Sequence, residues 1–399
     1  MGNERTTGKH ILLLAMGTAA LLLLMPGGNT IAEPFAYVTD GVRDGDVSEV
    51  GNVSVIDIAT NNVVATIPVG FNPIGIAVSP DGSKIYVANE GDPGSSESST
   101  NISVIDTATN KVIATVNGLN NPVGIAVTPD GSKVYVANEG SDDVAVIDTV
   151  SNNIMTTVTV GSVPSGIAVT PNGKKVYVTN YLSSDISVID AVLNKVMATI
   201  PVDDPAAVVF TPDGTRAYVT NLVYSNVSVI DTATDKVIAT VPVGSWPKGI
   251  AVTPDGTKVY VTNWDSKYVS VISTMANTVI ATVNVENRPQ GIAVTPDGSK
   301  VYVAINGDNM FPGNTVSVID SDKNEVIATV NVGMYPCGIA VNPTRTKVQA
   351  EYGSEDSVHD QNTNTSGKIP PNSPPTIPCG FNYLIATALI VSYIRKKST

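Results

Sequence analysis

Acidic side chains crowd the places in this 399-residue chain where chemistry could be done. The stretch DGVRDGDVSEVGN carries Asp40, Asp44, Asp46 and Glu49 around one base, Arg43. NEGDPGSSESSTN adds Glu90, Asp92 and Glu97, and NGDNMFPGN adds Asp308 beside Met310 and Phe311. Clustered carboxylates suit a hard cation such as Ca²⁺. Asp44, Asp46 and Asp92 are the candidate ligands, although the EF-hand spacing is absent. The plainer reading is a set of solvated acidic loops. Glu90, Asp308 and the apolar Phe311 are also candidate contacts for a partner.

A second group surrounds a recurring Pro-x-Gly. The residues before its proline are Asn72, Asn121, Val163, Asp204, Trp246, Arg288 and Tyr335, and the x positions include Ser165, Lys248, Gln290 and Cys337. Trp246, Trp264, Tyr181 and Tyr335 suit stacking on a sugar or an aromatic ring, or plain packing. Acid–base catalysis by histidine is not offered: His10 and His359 both lie outside the repeats. Cys337 and Cys379 have no metal-site spacing and are expected to be unpaired.

The elements that must position these residues are spelled out many times over. Four phrases cycle in fixed order: a, GIAVTPDG; b, KVYVTN; c, VSVIDTATN; d, VIATVPVG. Phrase a starts at 75, 124, 166, 207, 249, 291 and 338, so the period is near 42. Runs of Val and Ile read as strands, PDG as a tight turn, and a four-strand period of this length as one blade of a β-propeller. Seven copies of each phrase predict an all-β, seven-bladed ring over 35–342. Phrase b comes first in the chain and phrase a last. Closure is therefore expected by pairing Gly338–Val341 with Ala36–Thr39, leaving KVQAEY (347–352) as a degenerate spare.

Strand alternation places the b–c loops and the d–a connections on one face. Three long b–c loops, the acidic ones above, fall on consecutive blades. Asn52, Asn101 and Asn226 are N-x-Ser sequons directly before phrase c and are glycosylation candidates, unless Asn there merely opens the strand.

The phrases YVTN (Tyr177, Tyr218, Tyr260), VSVIDTATN and GIAVTPDG resemble the YVTN repeats of archaeal surface-layer propellers. The resemblance implies a cell-surface propeller and brings no catalytic set.

The flanks point the same way. Arg5 and Lys9 precede the apolar run Ile11 to Met25, as in a secretory leader over 1–32 or an uncleaved anchor. A polar, Pro-rich linker (343–378) leads to an apolar segment with a basic end (379–399), a membrane anchor or sorting tail. With 36 acidic against 23 basic residues, nucleic acid is excluded as a partner. The sequence thus predicts a non-catalytic, secreted and membrane-anchored surface-layer or adhesion component, with neighbouring surface proteins or glycans as partners. The alternative is a surface hydrolase of the lactonase type with a carboxylate or Ca²⁺ site.

Overall fold

Stretches of β-branched residues bounded by Pro, Asp and Gly fold as short strands because they fit a pleated sheet covered on both faces. The computed structural model describes residues 30–32, 34–41, 50–91, 100–307, 312–343 and 345–347. It contains seven four-stranded antiparallel sheets, each in the order a-b-c-d. Blade 1 comprises Pro73–Val78, Lys84–Asn89, Asn101–Asp106 and Lys111–Asn117. Blades 2 to 6 begin at Pro122, Pro164, Pro205, Pro247 and Pro289. In blade 7 the C-terminal Pro336–Val341 is strand a, and Phe35–Asp40, Asn52–Asp57 and Asn62–Pro68 complete it. Ala36 pairs with Val341, Tyr37 with Ala340 and Val38 with Ile339, which is the expected closure.

A two-stranded ribbon, Thr30–Ala32 with Arg345–Lys347, lies outside the blades and was not anticipated. No helix among the described residues is long and apolar enough to cross a membrane. The expected leader, linker and tail lie almost wholly outside the described residues.

Strands b and c are buried between neighbouring blades, and strand d faces solvent. The a strands of successive blades contact one another around a central channel. Their close approach explains the glycine of Pro-x-Gly. A Cβ on Gly249 would stand 2.2 Å from the Gln290 carbonyl of the next blade, and one on Gly338 2.2 Å from that of Ile74. Blade 4 has Ala207 at this place.

The letters of the repeat are inter-blade clips. Tyr302 donates to Asn61 Oδ1 at 2.7 Å, Tyr135 to Asn194 at 2.9 Å and Tyr218 to Asn277 at 2.8 Å, each joining strand b to the c–d turn of the next blade. The same asparagines hold positive φ, between 51° and 54°, which Asn tolerates better than most residues. Lys84, Lys133, Lys175, Lys258 and Lys300 reach across beside the tyrosines to turn carbonyls. The threonine of YVTN works on the inner side: Thr39, Thr179, Thr220 and Thr262 donate to the x-position carbonyls of Ile74, Ala206, Lys248 and Gln290 in the next blade.

Candidate functional site

At each d–a connection the chain turns abruptly into strand a through the residue before the proline. Asn72, Asn121, Val163, Asp204, Trp246, Arg288 and Tyr335 all have φ between 44° and 59°. This left-handed geometry is unfavourable for side chains such as Val. Its recurrence in every blade makes it architectural. The carbonyls of most of these residues accept from the backbone N–H just after strand b: Asn72 from Glu90, Asn121 from Glu139, Val163 from Tyr181, Asp204 from Leu222 and Trp246 from Trp264. Two rings of side chains, one before the proline and one after strand b, therefore form a rim at the same end of the channel. The x positions lie one residue further along strand a.

The rim is chemically uneven. In blade 5, Trp246 and Trp264 lie with ring centroids 6.1 Å apart and planes at 44°. Lys248 Nζ stands 4.7 Å and the Arg288 guanidinium 4.3 Å from the centroid of Trp264, both in cation–π contact. Trp264 Nε1 and Gln290 Oε1 are buried with no protein partner. Lys248 retains some exposed surface yet is walled by protein, as a group lining a narrow channel must be. That desolvation, with the charge of Arg288, lowers its amine to about 8.

Blades 1, 2 and 4 supply acid. Glu139 follows strand b of blade 2, the position Trp264 holds in blade 5. Burial alone raises its carboxyl to about 7, and it meets no donor or cation among the described residues. Asp204 is also raised, by burial and by Asp203. Glu90 differs because its Oε2 accepts from Asn72 at 2.7 Å.

Of the residues singled out from sequence, Trp246, Trp264 and Arg288 come together as one cluster. Tyr335 is buried against Cys337. Asp44, Asp46, Asp92, Asp308 and Phe311 lie outside the described residues, so the proposed Ca²⁺ ligands and partner contacts have no geometry here. Among the described residues, no group of three or more His, Cys, Asp or Glu side chains is placed to hold a metal. Asn52, Asn101 and Asn226 each open strand c. Asn101 and Asn226 accept from Asn89 and Asn221 at 2.7 and 2.6 Å.

The expectation that Cys337 is unpaired is corrected. It is disulfide-bonded, and Cys379, the only other cysteine in the chain, lies outside the described residues. Sequence reasoning passed over Glu139, and the only trace of it was an acid directly after YVAN.

Two family models match parts of the chain: "Choice-of-anchor I domain" over 30–120 and "Lactonase, 7-bladed beta-propeller" over 167–282. Each covers less than a third of it. Hydrazine synthase from Kuenenia stuttgartiensis is 25% identical, with a TM-score of 0.59 over 67% of this chain and 88% of that one. A functionally unknown protein from Desulfotomaculum acetoxidans is 18% identical, with a TM-score of 0.62 over 76% and 99%. A candidate 6-phosphogluconolactonase from Bacteroides uniformis is 17% identical, with a TM-score of 0.64 over 78% and 100%. No curated protein matches the chain.

The expected kinship with surface-layer propellers does not stand. The lactonase match contains Tyr177, Tyr218 and Tyr260, the three YVTN copies that carried the resemblance. Those tyrosines clip blades together, so they report the architecture and not a place on a cell surface. The reading as a non-catalytic, membrane-anchored adhesion or surface-layer component is corrected with it, since the model that matches those repeats is a lactonase propeller.

Proposed function

We propose that the chain hydrolyses lactones at the rim of its central channel. The observation that carries this reading is Glu139, a walled carboxylate without a partner, poised near neutrality on the same rim as the Arg288–Trp264 cluster. The lactonase match over 167–282 supports it.

In this reading the tryptophans form the apolar wall for the ring of the substrate. Ionised Glu139 takes a proton from water as the water adds to the carbonyl carbon. The oxygen of that carbonyl becomes anionic and lies toward Arg288. Collapse of the tetrahedral intermediate breaks the ring C–O bond, and the leaving alkoxide takes the proton back from Glu139. A general base of this kind contributes about 10²- to 10⁴-fold.

The test is a panel of aliphatic and sugar lactones followed by pH-stat. The rate is expected to rise through pH 7 as Glu139 ionises. Glu139→Gln should lower kcat by about 10²- to 10⁴-fold with a smaller change in KM. Equal rates in wild type and Glu139→Gln, or a flat profile from pH 5 to 8, would refute the assignment. The leader expected over 1–32 would place this activity outside the cytoplasm, which fractionation of intact cells checks.

A further inference from the structure

Hydrolysis as described uses Glu139, Arg288 and the tryptophans but leaves Lys248 without a task. Its surroundings are unusual for a lysine. The side chain starts from the x position of strand a in blade 5, where Thr220 of blade 4 grips its carbonyl at 3.1 Å. On the other side, the following residue, Gly249, packs against the Gln290 carbonyl of blade 6. The backbone at Lys248 is thus held from both neighbouring blades, on a rigid element. The Nζ rests over Trp264 and makes no ion pair or hydrogen bond among the described residues. Its charged neighbour is another cation, Arg288, on the same ring. A lysine kept for structure would be expected to reach a carbonyl or carboxylate, as Lys175 does at Asp235 and Lys258 does at Ser321. A desolvated amine beside a second cation is the arrangement that activates lysine as a nucleophile.

The groups around it define a ligand. Arg288 offers a planar fork for a carboxylate. Trp264 Nε1 is a buried donor and Gln290 Oε1 a buried acceptor, neither with a protein partner. Leaving such atoms unmatched is costly, and a polar ligand would satisfy them.

We propose that Lys248 is a reactive amine that condenses with the carbonyl group of a 2-oxo carboxylate bound at the channel rim. The carboxylate of the ligand is held by Arg288. The neutral Nζ adds to the carbonyl carbon, a proton passes from nitrogen to oxygen, and the carbinolamine loses water to give an imine. No redox partner is needed, and the step stands independently of lactone hydrolysis.

Glyoxylate with cyanoborohydride is the probe: hydride from the reagent reduces the imine to a stable secondary amine, which peptide mapping locates. The full-length protein should carry one adduct, on Lys248, formed at least tenfold faster than on any other lysine. The rate should rise through about pH 8, where this amine becomes neutral. Lys248→Arg should abolish that adduct, with its melting temperature measured to establish that the ring is intact. Arg288→Gln should slow the reaction with glyoxylate at least tenfold more than the reaction with propanal, which has no carboxylate and senses only the loss of the neighbouring charge. Labelling spread evenly over surface lysines, or a Lys248 adduct formed equally fast with glyoxylate in Arg288→Gln, overturns the proposal. Adduct formation in a protein that opens no lactone would leave the proposal standing and remove the hydrolytic reading. The reverse result would remove this proposal alone.

Discussion

Asp40 shows how one atom changes the behaviour of a repeated position. Five blades carry an Asn here (Asn89, Asn138, Asn180, Asn221 and Asn263), and four of their amides donate to the serine of strand c, as Asn180 does to Ser187 at 2.9 Å. In blade 7 the residue is Asp40, 1% exposed, and Ser54 donates to it at 2.5 Å. Burial raises its carboxyl from 3.8 to about 7, against the opposing pull of hydrogen bonds from Ser54 and Gly333. Between these values the folded protein holds a proton that the unfolded chain has released. Its stability should therefore fall as pH rises from about 4 to about 7 and level off above that. Glu139, raised to about 7 in the same way, adds a slope of the same sign. Asp40→Asn restores the common residue and removes the buried charge. It is expected to raise unfolding stability at pH 8 by on the order of 2–4 kcal/mol and to have much less effect at pH 4. Denaturant titrations at the two pH values check this, and a gain of equal size at both would contradict it.

Between elements, the ring depends on contacts that cross from blade to blade. Burial pushes the clip tyrosines Tyr135 and Tyr260 up to about 12, so they remain donors throughout the working range. Tyr302→Phe, which breaks the clip between blades 6 and 7, should cost about 1 kcal/mol. Asn61→Ala should cost more, because it loses both the acceptor and the residue suited to φ 54°. A double-mutant cycle should return a coupling of about 0.5–1.5 kcal/mol, and a value near zero would mean that the clip contributes nothing. Gly338→Ala is expected to cost about 2 kcal/mol or more, since its Cβ would press on the Ile74 backbone and not on a movable side chain. Ala207 shows that a methyl is possible at this position in blade 4, where the spacing has been set around it. Equal stability of Gly338→Ala and wild type would show that the other blades can adjust as readily.

At the scale of the whole molecule, seven blades are held as one ring by a single seam. Strand Pro336–Val341 is drawn from the C-terminal end and paired with Phe35–Asp40 from the N-terminal end. Ending the chain before Pro336 would expose the edge of Phe35–Asp40 and strip blade 7 of its channel strand. The melting temperature is expected to drop by more than any single substitution above produces, and an unchanged value would refute the closure. The same ring brings Glu139 of blade 2 onto one rim with Arg288 of blade 6, residues about 150 apart in the chain. It also places the three long acidic b–c loops on blades 6, 7 and 1, consecutive only because of the seam.

By itself the sequence determined the number of blades, the order of strands within them and the seam. These follow from local chemistry repeated at a fixed period: PDG can only turn, alternating Val and Ile can only pair and stack, and unequal phrase counts at the two ends must be reconciled by joining them. It also placed Trp246, Trp264 and Arg288 at one rim, because each occupies a defined place in its repeat. The tertiary structure alone decided what those places are like. The letters of YVTN and TATN served as a badge of cellular role in the sequence and proved to be clips between blades, because their partners lie a full repeat away. Glu139 and Glu90 follow the same phrase, yet one is walled without a partner and the other is tied to Asn72. Lys248 and Lys258 are both lysines of blade 5, but only Lys248 shares a tryptophan with an arginine. Burial and proximity across blades set the proton affinity of each such group, and neither quantity is carried by a residue's identity or by its position in the repeat.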